Sequence, residues 1–231
     1  MIPKPEPGRP AAAAILGFLA LATPACAALA QEAAPTDEID RRLRFLEERL
    51  DAGRTTAQVW QYGWSGVFAV SAASNAWTLV DTDDGDDRVR AAVDGVKSVG
   101  ALAQMLLNPL PARLGADPMR AEPGRTREQR LALGESQLQV NAARAEERFD
   151  IRQHLKAVGV NLIGGGVIWA FGDSGDALAS AATGILVSEA QIWSQPWRAS
   201  GDLRDYRSTF PGALSWEIRP RPNGVELAFR F

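Results

Sequence analysis

His154 is the only histidine in the chain and Cys26 the only cysteine. Ser/His/Asp catalysis needs an imidazole within reach of a nucleophile, and a zinc site needs several soft ligands. One copy of each leaves little of either chemistry. Gly172-Asp173-Ser174-Gly175 copies the short string around the nucleophile of trypsin-like proteases. The histidine, however, lies about 20 residues upstream within a helical pattern, and a β-barrel is not signalled. The string reads instead as a turn between helices, with Asp173 and Ser174 as caps. Gly164 and Gly166 begin like a dinucleotide fingerprint, but the third position is Trp169 and no strand precedes them. No cofactor is expected.

The polar residues that stand out are those in apolar surroundings. Asn161 and Glu189 lie in apolar runs, and His154 sits where a polar helix meets one. In lipid such residues are costly and often pair or work, so these three are the candidate ligand or polar-core residues. A boundary histidine also serves simply as an interfacial polar group. The turn holding Asp81, Asp83, Asp84, Asp86 and Asp87 is a weak candidate for a cation. It fails the calcium-loop template, because Gly85 at position six would put Val80 at position one. No catalytic residue is assigned.

Two apolar hairpins must position these residues. Residues 55–80 carry no charge and hold Trp60, Trp64, Phe68 and Trp77; residues 91–107 follow the acidic turn and end at Asn108-Pro109. Residues 157–172 are the most apolar stretch after the N-terminus, and 177–195 follow the second acidic turn. Ser65, Ala69 and Ala73, and then Ser180, Gly184 and Ser188, recur every four residues as small faces for close helix packing. The fold class is mainly α: a bundle of two apolar hairpins plus polar helices, with a short C-terminal β-hairpin. Helices are expected at about 37–52, 56–80, 89–107, 126–172 and 176–195. Thr36 and Thr126 suit N-caps, and Gly53 is the expected stop of the first helix. Ile39, Leu43, Leu46 and Leu50 form its apolar stripe.

The N-terminus reads as an export signal, residues 1–30. Lys4 and Arg9 precede the apolar run Ala11 to Ala22, and Ala28-Leu29-Ala30 gives the small-x-small pattern. Cleavage is expected after Ala30, with 31–36 as a linker and a bundle over 37–197. The chain carries a net charge of −3, which argues against nucleic acid as a partner. Near-exclusive use of Arg over Lys, with much Ala, suggests a bacterial origin.

Tryptophans at both ends of the hairpins match aromatic belts, with Trp60 and Trp77 about 25 Å apart along a helix. Membrane association is therefore expected. Arg-rich segments on one side and acidic turns on the other fit the positive-inside tendency, which a cleaved export signal opposes for four spans. In the tail, 198–231, Asn223-Gly224 is a hairpin turn signal. Gly224, Val225, Leu227, Phe229 and Phe231 resemble the final-strand signal of outer-membrane β-barrel proteins. The resemblance implies a terminal strand, while the rest of the chain lacks a barrel's alternation. The expected function is a non-enzymatic, membrane-associated envelope protein with a structural or interaction role, self-associating or bound to an envelope partner. The rivals are a small channel, transporter accessory or ligand carrier using buried polar groups, and an envelope hydrolase built on carboxylates.

Overall fold

The structure is a computed structural model that describes residues 36–214, the side chain of Thr36 excepted, and the backbone alone of 216–221 and 224–229. Thr36, the last residue of the expected linker, is helical, while the export signal, its cleavage point and residues 31–35 of that linker lie outside the described residues. So do the turn and all the side chains of the expected C-terminal hairpin.

The described chain is mostly helical. Helix α1 runs unbroken from Thr36 to Asp81. The expected stop at Gly53 does not occur. A single glycine costs a helix about 1 kcal/mol, and packing on both sides outweighs that. Just before it, Leu46 and Leu50 are buried; just after it, Ala57 and Gln61 are buried. Asp51 and Arg54 pin the same turn, Asp51 accepting from the Ala116 amide at 2.9 Å and Arg54 pairing with Asp117.

Helix α2 spans Gly85–Leu107. A 3-10 turn at Pro111–Leu114 and the short α3, Asp117–Arg120, lead to α4, Arg127–Glu146. Thr126 and Gln129 close a capping box at its start. The expected single helix over 126–172 is in fact two. After a 3-10 turn at Glu147–Phe149, Asp150 caps a new helix, α5, Ile151–Phe171, by accepting from the Arg152 amide at 2.9 Å. A short acceptor of this kind competes with helical hydrogen bonding and starts a helix better than it continues one. The break lets α5 leave α4 and pack on α6, Ser174–Ser194. Helix α7, Arg198–Thr209, returns to α4.

The two expected apolar hairpins are present: α1 packs on α2, and α5 on α6, with α2 joining the pairs. All these elements belong to one unit, Pro35–Phe231. It has two unlike ends. In the polar half, the stripe Ile39, Leu43, Leu46 and Leu50 is buried against α4 and α7. Phe45, Tyr206 and Phe210 stack beside it, with ring centroids 5.1–5.7 Å apart. In the apolar half, large side chains face outward on every helix: Val59 and Val70 on α1, Val96 and Leu107 on α2, Ile163 and Phe171 on α5, Leu178 and Leu186 on α6.

The two small-residue faces divide. Ser180, Gly184 and Ser188 lie at the helix contact, as expected. Ala69 and Ala73 are exposed, and Phe68, Ser71 and Asn75 face the interior instead.

Candidate functional site

His154, at the start of α5, faces Glu189 on α6, and Nδ1 lies 2.8 Å from Oε2. Its Nε2 lies 3.0 Å from the Arg148 carbonyl. Both ring nitrogens thus face acceptors, which fixes the ring from two sides. The same Glu189 oxygen accepts from the Trp193 indole at 3.1 Å, and that ring stacks on the imidazole. Arg148 closes the group, donating to the carbonyls of Trp193 and Gln195 while lying 5.3 Å from the Phe149 and Trp193 rings. Glu189 is therefore neither free nor outward-facing.

Asn161 is buried two turns along the same seam. Its amide donates to the Ala157 carbonyl at 2.8 Å and to Ser188 at 3.2 Å. Its Oδ1 occupies space that only a glycine leaves open, since a Cβ at Gly184 would sit 1.8 Å away. Lys97 reaches the same glycine from α2. Its Nζ donates to Ser180 at 3.1 Å and pairs with Asp94 at 2.8 Å, while Ser180 donates to Asp94 at 2.6 Å. Ser98 and Ser71, 2.8 Å apart, carry the polar contacts across to α1. Asp94 was not singled out in the sequence, and Ser180 only as part of a small-residue face. The available signal was Asp94 and Lys97 three apart on one face of an otherwise apolar helix.

The three sequence candidates thus share one seam but form two groups, about 10 Å apart along α5. In both groups the polar side chains satisfy each other. That arrangement cements the helices across the seam.

The acidic turn acts as a cap. Asp84 accepts from the amides of Asp86 and Asp87, while Asp83 and Asp87 face Arg88 and Arg90. Among the described residues, no three potential metal ligands gather. Asp173 likewise accepts from the amides of Gly175 and Asp176, so the Gly-Asp-Ser-Gly string starts α6.

The polar half holds a cleft of about 470 Å³ that sequence reading missed. It lies between α1, the Pro111 turn, α4 and the α6–α7 link, lined by Leu50, Leu110, Leu138, Ala145, Pro196 and Trp197. Two carboxylates border it, Asp202 and Asp205 on α7. Both pair with Arg49, and Asp202 also with Arg198. Burial pushes the Asp202 carboxyl up from its ordinary value, and the two arginines partly offset this. The two acids and two arginines form one ion-pair network at the edge of the cleft. Asn141 also lines the cleft. It is 4% exposed, and its Oδ1 has no hydrogen-bond partner among the described residues. A buried acceptor left this way costs about 1–3 kcal/mol. These residues come from distant parts of the chain, so no local spacing announces them.

A second buried network lies nearby. Arg42 donates to Tyr206 at 2.8 Å and pairs with Glu135, to which the Tyr206 hydroxyl also donates. Burial pushes the Glu135 carboxyl up, with Tyr206 and Arg42 pulling the other way. Burial and then Glu135 push the Tyr206 hydroxyl up.

Comparison with known proteins finds no matching family model, curated protein or solved structure.

Proposed function

We propose that this chain is a non-enzymatic, exported envelope protein that associates with a membrane through its four apolar helices, in a structural or interaction role. One observation carries the reading. In the apolar half most of the large aliphatic and aromatic side chains face out, Phe68, Met105 and Ile168 excepted, while Lys97, Asp94 and Asn161 pair inside. Water favours the reverse, and contiguous exposed apolar surface marks a contact with lipid or protein. Of the described helices, α5 is long and apolar enough to cross a bilayer by itself. The other three carry the same outward apolar faces. Trp77 and Trp169 stand exposed toward the acidic-turn end, and Trp193 and Trp197 toward the other, where belts would lie. The polar half would rest at the surface. There it is open to a second copy or an envelope partner, and the proposed C-terminal strand could add to a partner's sheet edge.

The test is fractionation of native cells with mass spectrometry of the N-terminus. The expected result is a mature chain starting at Gln31 that resists carbonate extraction. Full release by carbonate or osmotic shock overturns the membrane reading. An intact N-terminus overturns cleaved export.

The ligand-carrier reading is favoured by a different observation, the cleft around Asn141.

A further inference from the structure

We infer that the cleft between α1, α4 and the α6–α7 link binds a neutral, largely apolar molecule through one hydroxyl or amide group that hydrogen-bonds to Asn141. The inference does not depend on the membrane reading. Its chemistry follows from the lining. The walls are mostly aliphatic, with Trp197 at the α6–α7 link. The volume, about 470 Å³, falls in the range of small-molecule sites.

Charge on the ligand is disfavoured. Arg49 is held by Asp202 and Asp205, Arg198 by Asp202, and Arg144 by Glu147. Every lining guanidinium already has a carboxylate, and both lining carboxylates have a guanidinium. An acid or amine entering the cleft would have to break one of these pairs.

Asn141 is the exception to this mutual satisfaction. Its side chain is buried, it lines the cleft, and its Oδ1 is unpartnered among the described residues. A buried polar group needs a hydrogen bond, and a ligand donor can supply it. A hydroxyl both donates and accepts, so an alcohol satisfies the carboxamide in either orientation. Sites of this type pair apolar walls with a few placed polar groups that set orientation.

The test uses the purified full chain and a diazirine-bearing long-chain alcohol as photolabel. Labelled positions are mapped by peptide mass spectrometry, with 1-dodecanol and dodecane as competitors. Labels are expected to concentrate in residues 138–145 and 196–202, and 1-dodecanol should compete where dodecane does not. Asn141→Leu should cut cleft labelling by roughly tenfold, the loss of one buried hydrogen bond. It should also raise Tm by a few degrees, since it removes an unsatisfied acceptor. Asn141→Ala makes the same comparison should leucine overpack the site. Labelling spread evenly over the apolar helices overturns the inference. So does equal competition by dodecane, which would mean a merely greasy surface. Cleft labelling that survives both Asn141 substitutions overturns it too, as does a fall in Tm for both, which would make Asn141 structural.

Discussion

At the scale of single residues, the stability of the polar half turns on Arg42, Glu135 and Tyr206. All three are buried and bonded to one another. Removing one member of a buried ion pair strands the other, at about 3–5 kcal/mol, whereas replacing both with apolar groups is often nearly neutral. Arg42→Met should therefore lose about 3–5 kcal/mol of unfolding free energy in urea denaturation followed by circular dichroism. Adding Glu135→Leu should recover most of that loss. Equal losses in the single and double variants would contradict the assignment. The sign of the pH dependence follows from Glu135. Its folded-state pKa is raised by burial, and Arg42 is among the groups holding it down. Without Arg42 it rises further, so the folded state holds that proton more tightly than the unfolded chain does. Stability of Arg42→Met should then fall as pH climbs from the ordinary glutamate range toward the raised folded value, and the defect should be smallest in acid.

Individual residues were legible from the sequence only where their strangeness was local. Glu189 and Asn161 stood out because they interrupt apolar runs, and His154 because it borders one. The pairing of His154 with Glu189, and the dependence of Asn161 on Gly184, join residues 23 to 35 positions apart. Asn141 gave no signal, because an asparagine in a polar helix is ordinary until its neighbours bury it.

Among elements, the glycine run on α5 allows a sharp comparison. A Cβ at Gly165 would meet the Ala181 Cβ at 2.9 Å and the Ala177 carbonyl at 3.1 Å, whereas one at Gly166 would meet nothing within 4 Å. Gly165→Ala must push α6 away and should cost about 1–3 kcal/mol. Gly166→Ala should be neutral or stabilise by up to about 1 kcal/mol, through helix propensity alone. Thermal denaturation of the two variants checks this, and equal effects would mean the seam is not packed as described. The elements themselves were legible where the signal was periodic, as in the buried stripe from Ile39 to Leu50, or chemical, as in the Thr126 cap. Two boundaries were misread, at Gly53 and near Asp150. At Gly53 a propensity of about 1 kcal/mol yielded to tertiary contacts that the local sequence does not display, whereas at Asp150 a local cap starts a new helix inside what reads as one polar-to-apolar run.

At the scale of the whole molecule, the outward apolar faces set the prediction. In vesicles of phosphatidylcholine with brominated acyl chains, emission from variants retaining only Trp77 or only Trp169 should drop relative to unbrominated vesicles. Both side chains are about 70% exposed in the protein, at 69% and 71%, so lipid can reach them without unfolding. Unchanged emission from both would remove lipid as the partner of this surface.

The sequence by itself determined that the chain is helical, that two apolar hairpins alternate with Arg-rich segments, and that small residues line one seam. These are properties of neighbours within a few turns, and side-chain periodicity and turn chemistry write them directly into the order of residues. Only the tertiary structure decided which faces of the apolar helices turn outward, that their polar residues pair inside, and that Asn141 is buried in a cleft without a partner. Those outcomes depend on contacts of α1 with α2, α2 with α5, α5 with α6, and α4 with α1 and α7, whose energies are fixed by the shape of the packed chain rather than by any local pattern.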